Sequence, residues 1–176
     1  IPDLCQRIAH VVVSEFQQSN CSVWLLEGEP PSLERFAIQG ATSSEIVLQP
    51  LTLDGSGLIA KAIRSGQLVN VPDVQLEPDY LEGWTSARSE LVLPLKNGER
   101  IIGALDLQSS ELAAFREDEV RVLSQFVSRA GLMLEHARLV SETEQRLHHL
   151  SALHTVDIAV ASSLDLQVTL KVFLEQ

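Results

Sequence analysis

The chain has 176 residues, of which 45% are hydrophobic, so it is long enough to bury one substantial core. Its net charge of −11 argues against nucleic acid or an anionic membrane as a partner. Its two cysteines indicate no disulfide framework, and no apolar run is long enough to span a bilayer. The chain begins at Ile1 without a signal peptide, which predicts a cytoplasmic location and a piece of a longer protein.

Helical and extended patterns alternate at the start of the chain. Apolar residues repeat at helical spacing over residues 4–16, which predicts a helix. Strands are predicted at residues 21–27 and 33–39, joined by a turn. The stretch 41–53 is ambiguous, although it allows a further short strand at 45–51.

A glycine-rich turn then precedes a short helix. Gly55-Ser56-Gly57 leads into a helical pattern at residues 58–64, which Gly66 ends. Free backbone N–H groups at the start of a helix suit an anionic ligand group, but the same pattern also occurs as a plain helix cap. A strand at 68–71 follows, and then a long polar loop at 74–88.

The next apolar stretch is predicted to form a β-hairpin. Asn97-Gly98 separates two apolar runs, and these residue types tolerate the positive φ angles of a tight turn. A two-residue loop at this point would place Lys96 opposite Glu99, and Ser89 opposite Asp106.

That register sorts the side chains of the hairpin onto two faces. Ser89, Leu91 and Asp106 would share one face, whose polar end indicates either a lined cavity or a wet margin of the sheet. Gly103 would lie on the other face, where it would let another backbone approach closely.

From Phe115 to about residue 156 the sequence follows one helical pattern, far longer than a typical globular helix. This length predicts a parallel homodimer. The alternative is an amphipathic helix packed on its own sheet, which would account for the part up to about Ala137. The predicted dimer interface is the apolar heptad series Phe126, Ala130, Met133, Ala137, Val140 and Leu147.

The order of these elements resembles a known family. The chain shows a helix, two strands, a Gly-x-Gly helix, a strand ending in Val-Pro-Asp, a Ser-x-Leu-x-x-Pro-Leu hairpin, Gly-Ala-Leu-x-Leu, and Phe-x-x-Asp-Glu entering a long helix. This ordered set resembles the GAF domain, a regulatory module of phytochromes, cyclic-nucleotide phosphodiesterases and many bacterial signalling proteins. The resemblance implies an α/β (α+β) fold, with a central antiparallel sheet, N- and C-terminal helices on one face, and a pocket covered by loops and a short helix on the other.

The resemblance also implies a function. It implies a regulatory sensor module of a multidomain bacterial signal-transduction protein, which binds a small ligand and transmits through a dimeric helix. The alternative is a GAF domain that serves only as a dimerisation module or spacer, with large side chains filling its pocket. By position, the ligand-binding residues would be Trp24, Phe36, Ser56, Gly57, Asp73, Tyr80, Ser89 and Leu91.

The domain boundaries follow from the same resemblance. Residues 1–139 would form the GAF-like sensor domain, and residues 140–163 a coiled-coil linker helix. The tail alternates like a strand but also fits a helix, which we favour. It resembles the first helix of a following sensor domain, so residues 164–176 would begin a truncated second domain.

This chain lacks the residues that several known activities of the family require. The loop 74–88 has neither the cysteine nor the histidine that bilin-binding relatives use, so no cofactor is expected. Methionine-sulfoxide-reducing relatives need cysteines near the pocket, whereas Cys5 and Cys21 fit buried core thiols better. The cyclic-nucleotide signature is one residue short at residues 115–119. With no metal ligand set and no Ser/His/Asp set, we expect the chain not to be an enzyme.

Overall fold

The computed structural model describes residues 1–40, 46 and 51–174, with side chains described as far as residue 155. Its helices are α1 (Pro2–Glu15), α2 (Leu58–Ser65) and α3 (Glu117–Leu174). Its strands are β1 (Asn20–Glu27), β2 (Ser32–Gln39), β3 (Val69–Val71), β4 (Ser89–Asn97) and β5 (Arg100–Ser109). The possible strand at 45–51 lies outside the described residues except for Ile46, which forms an isolated bridge with Trp84.

The five strands form one sheet in the order β2-β1-β5-β4-β3, and every neighbouring pair is antiparallel. Because side chains alternate along each strand, the sheet separates two apolar clusters. We call the side that packs against α1 and α3 the helix face, and the side covered by α2 the cavity face. The predicted fold class, a mixed α/β fold with a central antiparallel sheet, is confirmed.

The helix face is covered by the apolar stripes of two helices. In α1 the buried residues Cys5, Ile8 and Val12 recur every three or four positions, so they lie on one side of the helix. In α3 the buried stripe comprises Val120, Leu123, Val127, Ala130 and Leu134. This packing holds the helix face of the sheet away from water.

Two residues predicted at a dimer interface belong to this core instead. Ala130 is only 3% exposed and lies in the helix-face cluster. Phe126 packs against the same cluster, with its ring centroid 5.6 Å from that of Phe16. Both side chains are therefore used within their own domain.

The hairpin register differs from the prediction by one residue at its turn. Asn97 pairs with Arg100, so the loop is Gly98-Glu99 rather than Asn97-Gly98. Gly98 has φ of 59°, and a glycine with positive φ at the first central position is what a type II′ turn requires. The predicted Asn97-Gly98 loop is wrong, because Asn97 is the last paired residue of β4 and not a central residue of the turn.

A β-bulge shifts the register again, because the β4–β5 pairing is irregular between Leu95 and Lys96. Ser89 consequently pairs with Ser109, and Asp106 with Val92. A shift of this kind moves side chains to the opposite face of a sheet.

The chain divides into two compact units, Ile1–Glu135 and His136–Gln176. The first contains the sheet, and the second consists of the remainder of α3 and the chain end. Across the described part of the chain, no helix combines the length and hydrophobicity that crossing a membrane requires.

Candidate functional site

The cavity face of the sheet borders an open cavity of about 400 Å³. The sheet supplies its floor, while α2, its preceding turn and the loop after β3 supply its cover. The floor consists of Asn20, Ser22, Trp24, Glu90, Asp106 and Gln108. The walls consist of Arg35, Ile38, Leu51, Gly57, Leu58, Ile59, Leu81, Glu82 and Gly83. A polar floor and largely apolar walls are typical of a small-molecule site.

Hydrogen bonds link the polar side chains of β1 and β5 across the floor. Trp24 Nε1 donates to Ser22 Oγ at 2.7 Å, and Ser22 Oγ donates to Asp106 Oδ2 at 3.0 Å. These groups meet because Ser22 and Asp106 are direct cross-strand partners, and Trp24 lies two residues further along β1. The Asp106 carboxyl is thereby held in a fixed orientation.

A second set of hydrogen bonds orients Glu90. Asn20 Nδ2 donates to Gln108 Oε1 at 3.2 Å, and Gln108 Nε2 donates to Glu90 Oε2 at 3.2 Å. Gln108 is the direct partner of Asn20 on β1 and of Glu90 on β4, so one side chain spans three strands. Both carboxyl groups of the floor are therefore positioned by neighbouring amide or hydroxyl groups.

The two carboxyl groups are buried without a neutralising ion pair. Glu90 is 3% exposed and Asp106 is 4% exposed, and neither forms an ion pair with any residue that the structure describes. Asp106 Oδ1 is buried, and among the described residues only the neighbouring Glu90 carboxyl, when protonated, lies within reach to donate to the Asp106 carboxyl. Such groups are costly in a stable core, which points to a functional role.

Burial changes the protonation of this pair. Loss of solvation raises the pKa of Asp106 to about 7. It also raises the pKa of Glu90 well above its usual value, and the nearby Asp106 charge raises that pKa further. At neutral pH the pair therefore retains bound protons that an exposed pair would have lost.

Two of the predicted ligand-binding residues line the cavity, namely Trp24 and Gly57. Ser56 lies beside Gly57 and is exposed. Tyr80 is half-buried against the apolar cluster of the cavity face. Asp73 caps the short 3-10 helix after β3 by accepting a hydrogen bond from Gln75 N at 3.1 Å.

Three predicted residues lie on the helix face, which corrects their assignment to the pocket. Leu91 is fully buried in the helix-face cluster, and Phe36 packs against that cluster because the β1–β2 register shifts beside it. Ser89 Oγ donates to Glu111 O at 2.7 Å, which fixes the segment before α3. The shifted hairpin register explains why Ser89 and Leu91 are not in the pocket, since it turns both side chains away from the cavity.

The predicted ligand-binding set missed five residues of the floor, although two signals could have indicated them. Polar residues at alternate positions, Asn20 and Ser22 on β1 and Asp106 and Gln108 on β5, place amide, hydroxyl and carboxyl groups on one face. Glu90 stands among apolar residues of β4, and a carboxyl within a buried strand indicates a specific role.

Both cysteines lie on the helix face and not in the cavity. Burial raises the pKa of the Cys5 thiol to about 11 and that of Cys21 well above its usual value. Both thiols are therefore protonated at neutral pH. Within the described residues, no cluster of three His, Cys, Asp or Glu side chains could hold a metal ion.

Comparisons of the sequence and the structure with known proteins all indicate the same family. The family profile described as "GAF domain" matches residues 1–135. The chain is 32% identical over 94 residues to GAF domain-containing protein A of Dictyostelium discoideum, covering 49% of this chain and 60% of that protein. It is 29% identical over 80 residues to the free methionine-R-sulfoxide reductase of Escherichia coli, covering 46% and 48%. The chain therefore spans about half the length of the curated relatives it matches.

Solved structures agree with this family. The free methionine-R-sulfoxide reductase of Neisseria meningitidis, solved with its substrate, matches with 26% identity and a TM-score of 0.69, covering 80% of this chain and 83% of that one. The GAF domain of a phosphoenolpyruvate-protein phosphotransferase from Coxiella burnetii matches with 20% identity and a TM-score of 0.70, covering 80% and 86%. The second similarity supports the fold.

These similarities correct one prediction from the sequence. The expectation that the chain is not an enzyme is contradicted, because several similar proteins of this fold are named as free methionine-R-sulfoxide reductases. That expectation rested on the absence of pocket cysteines, of a metal ligand set and of a Ser/His/Asp set from the sequence. The absence of those thiols does not exclude enzymatic activity on this fold.

Proposed function

Since the chain belongs to the GAF domain family, we propose that it is a regulatory module whose cavity binds a small molecule with a protonated amine. The observation that carries this proposal is the buried pair Glu90 and Asp106 beside open space. An ammonium group could donate to Asp106 Oδ1 and to the Glu90 carboxyl, in place of the proton that the two carboxyl groups otherwise hold between them. Such hydrogen bonds would compensate the cost of burying these charges.

The open cavity favours ligand binding over a role as a spacer. The hairpin shift turns Leu91 and Leu93 to the helix face, so they do not fill the cavity. The cavity face of β5 instead carries Ala104 next to Asp106. Space and polar groups therefore occur together, as a binding site requires.

The proposal is tested by calorimetric titration with free methionine-R-sulfoxide and a panel of free amino acids. We expect at least one of these amines to bind, and its N-acetyl derivative, which cannot carry the positive charge, not to bind. Glu90→Gln should weaken binding by about tenfold or more, because it removes a charge-assisted hydrogen bond. Glu99→Gln, at the exposed hairpin turn, is the matched control and should bind like the wild type. Equal binding of the N-acetyl derivative, or no binding by any amine, would contradict the proposal.

A second candidate function is reduction of free methionine sulfoxide. It is favoured by the 26% identity to the Neisseria reductase over 80% of this chain. The test is formation of methionine from free methionine-R-sulfoxide with dithiothreitol as reductant. Methionine formation by the wild type assigns the reductase activity, and binding without methionine formation assigns the regulatory role.

For the partner, we propose a parallel homodimer through α3. Met133, Val140 and Leu147 are spaced seven residues apart and are 56%, 44% and 61% exposed. Heptad spacing of exposed apolar residues is what a two-stranded coiled coil requires. The interface includes the proposed linker helix at 140–163.

Charged substitutions test this interface. We expect Val140→Asp and Leu147→Asp to convert the dimer to a monomer in light scattering, because each would bury a carboxylate in the interface. Gln145→Asp is the matched control, since residue 145 is exposed and lies about 140° around the helix from Val140. A dimer that persists in both variants, or a wild type that is monomeric at high concentration, would rule out this interface.

A further inference from the structure

The cavity has a cation on the side away from its carboxyl groups. Arg35 lines the cavity from β2, where it is the cross-strand partner of Trp24. The Arg35 guanidinium carbon lies 5.5 Å from the centroid of the Trp24 ring. Among the residues that the structure describes, Arg35 forms no ion pair, so its fork of N–H donors has no anionic partner there.

The strand order separates this cation from the carboxyl groups. β1 lies between β2, which holds Arg35, and β5, which holds Asp106. Since neighbouring strands are about 4.8 Å apart, the backbones of these two strands lie roughly 10 Å apart across the sheet. The positive charge of Arg35 still reaches Asp106, since it lowers the pKa of the Asp106 carboxyl. This effect opposes part of the increase in pKa that burial causes.

We propose that Arg35 binds the carboxylate of a ligand whose ammonium group lies at Glu90 and Asp106, so that the cavity selects a free α-amino acid over a simple amine. This inference rests on the proposed function and adds the second charge of the ligand. Arg35 is then a specificity-determining residue. Its guanidinium can present two parallel N–H donors to a carboxylate, which gives geometric selectivity as well as affinity.

The dimensions of an amino acid fit this separation. Its nitrogen and carboxylate carbon are about 2.5 Å apart, so with a hydrogen bond of about 2.8 Å at each end it spans about 8 Å. This span is shorter than the roughly 10 Å between the two strand backbones, and the side chains of Arg35 and Asp106 supply the remaining reach. The remaining walls are mostly apolar, with Leu51, Leu58, Ile59 and Leu81 outnumbering the one carboxyl residue, Glu82. The inference therefore specifies a free amino acid with an apolar or weakly polar side chain.

The test compares two probes that differ by one group. The first is free methionine-R-sulfoxide, and the second is the amine formed from it by decarboxylation. We expect the wild type to bind the amino acid at least about tenfold more tightly than the amine. Arg35→Met should abolish this preference while changing the affinity for the amine less than about threefold, because Met keeps an apolar chain over Trp24. Arg35→Lys should restore part of the preference.

Matched variants separate the possible outcomes. Arg121→Met removes an exposed arginine from α3 and should leave both affinities unchanged. One outcome is that Glu90→Gln weakens the binding of both probes, while Arg35→Met leaves the preference for the amino acid intact. In that case the proposed role of Arg35 is overturned, and this residue only covers Trp24. The proposed function still stands. If neither probe nor any of the twenty free amino acids binds the folded wild type, both proposals fail.

Discussion

Asp106→Asn is expected to make the ligand-free protein more stable at pH 8 and to reduce the pH dependence of its stability between pH 4 and pH 8. The folded-state pKa of Asp106 is about 7, above its usual 3.8. Its favourable contribution is therefore complete below pH 4 and is lost as pH rises through 7. An uncharged Asn cannot lose stability in this way.

The magnitude follows from the size of the pKa change. Linkage gives an upper limit of about 4 kcal/mol between pH 4 and pH 8, of which we expect roughly half or more. The charged and titratable groups around Asp106 are Glu90 on β4, Arg35 on β2, Cys21 on β1 and Tyr80 in the loop after β3. Glu90 titrates with Asp106 and Arg35 favours the ionised form, so part of the dependence remains in the variant.

Urea denaturation at pH 5 and pH 8 checks this prediction. Asp118→Asn is the control, because Arg116 lowers the pKa of this exposed carboxyl. Removing this carboxyl should therefore decrease the stability at pH 8, whereas removing Asp106 should increase it. The assigned protonation would be contradicted if the wild type were as stable at pH 8 as at pH 5. It would also be contradicted if the wild type and Asp106→Asn had the same free energy of unfolding at both pH values. The stabilised variant should also bind amines more weakly, since strained functional sites commonly trade stability for binding.

Gly103→Ala is expected to destabilise the domain by about 3 kcal/mol or more. A Cβ at Gly103 would overlap Trp24 O and would lie 3.0 Å from Leu25 Cα, both in the backbone of β1. Backbone atoms of a central strand cannot move aside without breaking the β1–β5 pairing. The sequence prediction that another backbone approaches this glycine closely is confirmed.

A second glycine in the same hairpin supplies the control for this prediction. Gly98→Asn changes a glycine with nothing within 4 Å of a Cβ, and Asn tolerates its φ of 59°, so it should cost less than about 1 kcal/mol. Chemical denaturation of both variants measures the difference. If Gly103→Ala is no less stable than Gly98→Asn, the close contact between β1 and β5 is not as described.

The architecture could be read from the sequence because each element has a local signal. Helical periodicity, short apolar runs and glycines such as Gly66 mark where elements begin and end. Gly66 has φ of 64° as the C-cap of α2, which is the conformation that glycine adopts at low cost. The order of the elements then fixed the sheet and its two faces.

The site was harder to predict because it depends on register. The β-bulge beside Leu95 and the register shift beside Phe36 depend on how each strand packs against residues that are distant in the sequence. No local sequence pattern therefore marks these two irregularities. One residue of shift sends Leu91 to the helix face and Glu90 to the cavity. Arg35 was missed for a related reason, since its place beside Trp24 exists only in the paired strands.

The expectation about enzymatic activity failed for a different reason. It treated the missing thiols, metal ligands and Ser/His/Asp set as evidence against catalysis, although Glu90 and Asp106 had not been placed in the cavity. Two buried carboxyl groups that share protons near neutral pH are a common feature of functional sites, including catalytic ones.

The central claim is that Glu90 and Asp106 hold an ammonium group, and the protons released on binding test it most directly. Titration of an amine that binds, in two buffers of different ionisation enthalpy at pH 6.5, measures that number. A bound cation favours ionised carboxyl groups, so the account predicts release of a substantial fraction of one proton, and much less from Asp106→Asn. Binding with no proton release, or with the same release in wild type and Asp106→Asn, would contradict it.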